Sequence, residues 1–160
     1  MKETTQERLL ELDADIHWMK HALSLARRAE SEGEVPVGAV IVLDGEILGE
    51  GWNRNISLND PSAHAEVMAL RAAGKYMQNY RLPGSVLYVT LEPCAMCVGA
   101  MIHARLAKLV YGAADPKTGA LGGAFSLPLA HAHNHALEYR GGVMAEEVSN
   151  LLKAFFKARR

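Results

Sequence analysis

Residues 85–115 read SVLYVTLEPCAMCVGAMIHARLAKLVYGAAD, and how they fold decides the architecture. Ser85 to Glu92 is a nearly continuous apolar run, as a central strand covered on both faces requires. Pro93 comes next, where a helix can begin at no cost because the missing N–H of proline is harmless in the first turn. The stretch to Arg105 is therefore expected to be helical, and AKLVYGAAD is expected to be another strand. Strand, helix and strand in succession make a crossover unit with the two strands parallel.

The chain on either side extends this unit. Upstream, VPVGAVIVLDGEILGEGWNR holds two aliphatic runs around Asp44-Gly45, a pair suited to a tight hairpin because both central positions need φ > 0. Strands are expected near Val37–Leu43 and Glu46–Trp52. Asn53 to Pro61 is polar and reads as a loop. SAHAEVMALRAAGKY predicts a helix to about Gly74, with Ser62 as N-cap. Trp18, Ala22, Leu25, Ala26 and Ala29 recur at helical spacing and predict a first amphipathic helix over Thr5–Ser31.

Downstream, PKTGALGG is a Gly-rich loop and AFSLPLAHAHNH gives no clear reading. ALEYRGGV suggests a fifth strand. AEEVSNLLKAFFKARR predicts a closing helix, apolar at Val148, Leu151, Leu152, Phe155 and Phe156. No linker divides the chain, so residues 1–160 are expected to form one α/β domain. Its architecture is a three-layer α/β/α sandwich around a mixed, mostly parallel five-stranded sheet.

Composition narrows the function classes only a little. The 160 residues are 49% hydrophobic and 22% charged, with a formal net charge of −1. Bulk charge marks neither a nucleic-acid nor a membrane partner, although a local basic patch remains open. No apolar run is long enough to span a bilayer, and the first residues lack the apolar core of a signal peptide. The expected location is the cytoplasm, where thiols stay reduced.

Both cysteines of the chain, Cys94 and Cys97, fall in one turn. A C-x-x-C pair is compatible with redox chemistry, a metal site or packing. At spacing i, i+3 both sulfurs can reach one ion, and the positive end of a helix favours their thiolate forms. His64 stands at the start of the preceding helix, at the edge of the sheet where open α/β folds bind ligands. His64, Cys94 and Cys97 would make three protein ligands, leaving a fourth position open as catalytic zinc sites do. Glu66, two residues beyond His64, suits proton transfer better than ligation.

The pattern H-x-E followed by P-C-x-x-C is the signature of zinc nucleobase deaminases. The longer strings DPSAHAEVMALR, NYRL, TLEPCAMCVGAMIHAR and GAADPKTGA resemble the tRNA adenosine deaminases of bacteria, a likeness running from about His17 to the C-terminus. It implies a cytidine deaminase-like fold, one zinc per subunit, no organic cofactor and a homodimer. The implied reaction turns adenosine into inosine at the wobble position of an anticodon stem-loop, in an arginine tRNA. Carried over by position, His64, Cys94 and Cys97 bind zinc and Glu66 shuttles protons. Asn53 holds the target nucleoside, and Asp115 and Lys117 touch flanking nucleotides. Asn134 and His135 lie near the splayed bases, and Phe156, Arg159 and Arg160 belong to a closing helix that touches the loop. The chain departs from the family at Gly123, where the family carries Ser, and at the additional His131 and His133.

Two other enzyme classes and one binding class fit parts of this pattern. A deaminase of free guanine, cytosine or deoxycytidylate would use the same zinc core but would need neither the basic tail nor DPKTGA. A non-catalytic RNA-binding subunit with structural zinc would have no need of Glu66. A thioredoxin-like redox protein would leave His64 and Glu66 unexplained. The alternating His131, His133 and His135 lack a nearby carboxylate or cysteine, so no second metal is expected. Of Phe155 and Phe156, one is expected to pack and the other to face substrate.

Overall fold

The computed structural model describes residues 2–130 and 132–159, so His131 and Arg160 lie outside it. A long helix opens the chain, α1 (Thr5–Ser31), followed by the hairpin β1 (Gly38–Leu43) and β2 (Glu46–Trp52). Next come a single turn α2 (Asn55–Leu58), helix α3 (Ala65–Met77), strand β3 (Val86–Leu91), helix α4 (Ala95–His103) and strand β4 (Lys108–Ala113). A second single turn α5 (Leu127–Ala130), strand β5 (Glu138–Arg140) and helix α6 (Ala145–Ala158) complete the fold.

The sheet order is β2-β1-β3-β4-β5. Parallel pairing is confined to β3–β4 and β4–β5, because β1 runs antiparallel to both β2 and β3. Four of the five strands nevertheless share one direction and only β1 is reversed, so the sheet is mixed and mostly parallel as expected, with antiparallel pairing on both sides of β1. The crossover through α3 makes β3 parallel to β2, but β3 lands on the far side of β1 and pairs with that strand. The hairpin turn is as expected: Asp44 (φ 49°) and Gly45 (φ 77°) both occupy the left-handed region.

Side chains alternate across the sheet and feed two helical layers. Ala39 and Ile41 of β1, Leu87 and Val89 of β3 and Leu109 of β4 pack with Ala65, Ala69 and Ala73 of α3 and Val98 and Met101 of α4. Val40, Val42, Tyr88 and Val110 point the other way, against Met19, Ala22 and Leu25 of α1. Helix α6 shares that second face through Val148, Leu151 and Leu152, beside Leu91 and Ala113 at the ends of β3 and β4.

Glycine sets how closely α3 approaches. A Cβ at Gly51 would overlap the backbone carbonyl of Ala65, and one at Gly49 would lie 2.5 Å from that of Ala69. Two bare strand positions therefore let the Ala-rich face of α3 lie directly on β2.

Helix α1 begins in a capping box. Thr4 Oγ1 accepts from the Glu7 N–H at 3.1 Å, and Glu7 Oε2 accepts from the Thr4 N–H at 2.8 Å. Its first turns overhang the core, with Leu9 and Leu10 exposed. Ion pairs hold this overhang: Glu11 with Lys108, and the buried Asp15 with Arg140 and, at 3.1 Å, the Tyr88 hydroxyl.

Helix boundaries differ from expectation where the site lies. The N-cap of α3 is His64, not Ser62, and the helix runs to Met77, three residues past Gly74. Ser62 instead closes a turn on Asp60, donating from N–H and hydroxyl at 2.8 and 2.7 Å. The N-cap of α4 is Cys94, which places Pro93 one residue before it. Within the expected loop 53–61, the buried Glu34 accepts from the N–H groups of Ile56 and Ser57 and so stabilises the turn α2.

Candidate metal centre and substrate pocket

Two helix N-termini meet beyond the ends of the sheet, and the N-cap residue of each supplies a donor atom. His64 and Cys94 both have extended backbone (φ −69°, ψ 153°; φ −79°, ψ 175°), and neither caps its own helix with its side chain. Cys97 lies one turn further along α4, fully buried. His64 Nδ1 is 3.6 Å from each sulfur, and the sulfurs are 3.8 Å apart.

These separations can be compared with a metal's demands. Bonds of about 2.3 Å to sulfur and about 2.0–2.1 Å to nitrogen in a tetrahedron place sulfurs about 3.8 Å apart and sulfur and nitrogen about 3.6 Å apart. The three donors already stand at those edges, so the site fits zinc with a fourth corner open. Among the described residues it is the one group of three donors close enough to share an ion.

The local electrostatics agree. A hydrogen bond from Cys97, with further help from His64, lowers the Cys94 thiol to about 4 despite partial burial. The same contact, with burial, pushes the Cys97 thiol up. His64 is raised, first by its hydrogen bond to Cys94. A divalent cation would displace the remaining protons, aided by the positive ends of α3 and α4.

Glu66 sits in the first turn of α3, buried at 4% exposure. Burial pushes its carboxyl up from the ordinary value, outweighing the backbone and Cys97 hydrogen bonds that act the other way. That is the direction needed by a group that takes a proton and returns it near neutrality.

Because His64 turns towards the sulfurs, α3 needs another cap. Asn53 supplies it: its Oδ1 accepts from the Ala65 N–H at 2.9 Å. With the amide oxygen so engaged, the Nδ2 donor is the end left for a ligand. Asn53, His64, Glu66, Cys94, Val35, Val37, Leu91, Glu92, Asp115 and Thr118 all line one cavity of about 240 Å³.

The other expected site residues divide into two groups. Asp115 lines the cavity, but its carboxylate is engaged within its own turn, accepting from the Lys117 and Thr118 N–H groups at 2.9 and 3.3 Å and from the Thr118 hydroxyl at 2.9 Å. Lys117 stands exposed on that turn. Phe155 packs, as one of the pair was expected to, Phe156 is exposed, and the Arg159 guanidinium lies 3.5 Å from the Phe155 ring centre. Asn134 and His135 do not reach this cavity. Asn134 lines a separate hollow with His103, Arg105 and His133 at the far end of α4, and His135 Nε2 donates to the Leu106 carbonyl at 2.6 Å.

Sequence reasoning passed over Thr118, in the cavity wall, and Glu34 and Glu92, two buried acids beside it. For Glu92 a signal was present: a charged residue closing an apolar strand needs a buried partner. A more open hollow of about 1040 Å³ lies away from the chemistry between α3 and α4, lined by Val67, Leu70, Tyr80 and Ala100 among others.

Comparison with known proteins agrees with the geometry. Residues 12–113 match the cytidine and deoxycytidylate deaminase zinc-binding region. The tRNA-specific adenosine deaminase of Haemophilus influenzae is 54% identical over 147 residues, covering 91% of this chain and 85% of that protein. The chain belongs to the tRNA-specific adenosine deaminase family. The Bacillus subtilis member is 43% identical over 91% of both chains. A solved structure from work on A-to-I editing by tRNA:A34 deaminases at the wobble position superposes with a TM-score of 0.78 at 45% identity, covering 85% of this deaminase and 99% of that chain. The guanine deaminase of Nitrosomonas europaea, 24% identical with a TM-score of 0.71 over 86% of this chain and 81% of its own, shares the fold.

Proposed function

We propose that the protein hydrolyses adenosine to inosine at the wobble position of a tRNA anticodon, that of an arginine tRNA, with one zinc ion per subunit. The observation that carries this reading is the buried Glu66 beside three donors spaced for zinc, in a cavity capped by Asn53. Its volume is below the range of about 300–1,000 Å³ usual for whole small ligands, which suits one base inserted while the rest of the nucleic acid stays outside.

When bound, zinc supplies the Lewis acidity that makes water a nucleophile near neutral pH. The chain's own groups do the rest. Glu66 accepts a proton from the attacking water and passes it to the ring nitrogen beside C6. A bond from oxygen to C6 forms, Glu66 carries the remaining proton of that oxygen to the exocyclic amino group, and the bond from C6 to that group breaks as the carbonyl forms and ammonia leaves. Asn53 orients the nucleoside through Nδ2, and the Ala65 N–H remains satisfied by its Oδ1.

The reading includes a cytoplasmic homodimer. The apolar groove between α3 and α4 is a surface for a second copy to cover. Asn134 and His135, which do not line the cavity of their own chain, are assigned in this reading to that of the partner. In the described residues no helix is long and apolar enough to cross a membrane.

The test pairs the zinc-loaded protein with its Glu66→Ala variant. Both are incubated with an arginine anticodon stem-loop bearing a wobble adenosine and, separately, with guanine, cytosine and deoxycytidylate. Inosine from the stem-loop alone, absent in the variant although its zinc is retained, is the expected result. Turnover of a free base instead would overturn the RNA reading and keep the zinc chemistry.

A further inference from the structure

The segment from Ala114 to Gly123 forms one wall of the cavity, and a residue outside it sets its shape. Glu92, 3% exposed, stands just past β3 and two residues before the ligand Cys94. Its Oε1 accepts from the Asp115 N–H at 2.9 Å, and its Oε2 accepts from the Leu121 and Gly123 N–H groups, both at 2.9 Å. One carboxylate thus gathers both limbs of the loop. A second tie lies alongside it, the Ala120 N–H donating to the Pro93 carbonyl at 2.9 Å.

The loop is built around this acid. A Cβ at Gly119 or Gly123 would overlap the Glu92 carboxylate, so both positions are bare where it enters. A buried carboxylate without donors would be costly, and three backbone N–H groups compensate it with charge-assisted bonds. Inside the loop, Asp115 folds the turn that places Thr118 in the cavity wall and leaves Lys117 outward. Glu92 therefore fixes the substrate-facing wall and adjoins the helix that carries both sulfurs.

We infer that Glu92 is a positioning residue for substrate recognition, holding the 114–123 wall in register with the Cys94–Cys97 helix. It touches neither the donors nor Glu66 through any hydrogen bond found among the described residues, so its loss acts on substrate binding. The substrate-binding part of this inference rests on the RNA reading above; the loop-holding part does not.

Glu92→Gln tests it, because the amide replaces one acceptor oxygen with a donor that confronts backbone N–H groups. Expected are faster hydrogen exchange at the Asp115, Leu121 and Gly123 amides and a KM for the stem-loop raised about tenfold, with kcat and zinc content within about twofold of the parent. Glu92→Asp, which keeps the charge, is expected to recover part of the KM and guards against a variant that fails to fold. A lowered melting temperature with unchanged KM would reduce Glu92 to a purely structural role and overturn the inference. So would unchanged exchange at the three amides, or a fall in kcat and zinc at constant KM. If the parent protein turns over a free base and not the stem-loop, the RNA reading fails by itself. Glu92 is then judged by amide exchange together with KM for that base.

Discussion

Glu66 and Glu92 are both buried acids at one cavity, and their partners separate their roles. Glu92 spends both oxygens on backbone N–H groups, while Glu66 lies beside the metal donors with burial raising its pKa. Glu66→Gln is accordingly expected to keep zinc and fold while losing at least ~10²-fold in kcat, measured by inosine formation at saturating substrate. Cys97→Ala removes a donor from a three-ligand set, so zinc content and activity should vanish together in metal analysis and assay. Asn53 serves two ends at once. Asn53→Ala should cost about 1 kcal/mol of stability through the uncapped Ala65 N–H, read from urea midpoints, and raise KM as well.

At the scale of elements, the crossing of α3 over β2 positions the chemistry, since α3 carries His64 and Glu66 at its start. Gly51 has no space for a methyl group against the Ala65 carbonyl. Gly51→Ala should therefore push α3 outward and destabilise by about 1–3 kcal/mol, a fall in melting temperature of roughly 2–4 °C per kcal/mol for a chain of this size. Activity should fall along with it, because His64 moves with the helix. The sequence announced the elements well. The Asp44-Gly45 turn, the 27-residue α1 and the unbroken apolar run of β3 all carry strong local signals. It was less informative about helix starts. Ser62 and Pro93 have the right local chemistry to begin α3 and α4, yet His64 and Cys94 occupy the N-cap positions, so contacts at the cavity and not local capping chemistry set where those helices start.

For the whole molecule, the pH dependence of stability has a limb on each side. Burial works against a charged Glu34, but the Ser57 and Ile56 N–H groups prevail and hold its carboxyl below 4.5. The unfolded chain takes up that proton first as pH falls, so this stabilisation is present above about pH 4.5 and lost below it. Burial and the neighbouring Asp15 raise the Tyr88 phenol above its ordinary 10.0. Above pH 10 the unfolded chain ionises before the folded one, so stability drops as pH rises. Urea midpoints across pH should show a plateau between these limbs, and Tyr88→Phe should flatten the alkaline one. Assembly belongs to this scale too. Leu70→Asp, in the groove between α3 and α4, should yield a monomer by sedimentation with greatly reduced activity if a second copy covers that groove.

By itself the sequence determined the donor set, the acid beside it and the elements that bear them, because each depends on short-range spacing: H-x-E, C-x-x-C, and the periods of helix and strand. It could not determine that β1 lies between two antiparallel neighbours, that Asn53 replaces His64 as cap of α3, or that Glu92 gathers the loop from Asp115 to Gly123. Nor could it show that Asn134 and His135 stand outside the lining of their own chain's cavity. Those facts depend on contacts between residues distant in sequence. Only the assembled sheet, with its helices packed down on bare glycine and alanine surfaces, brings those residues together or holds them apart.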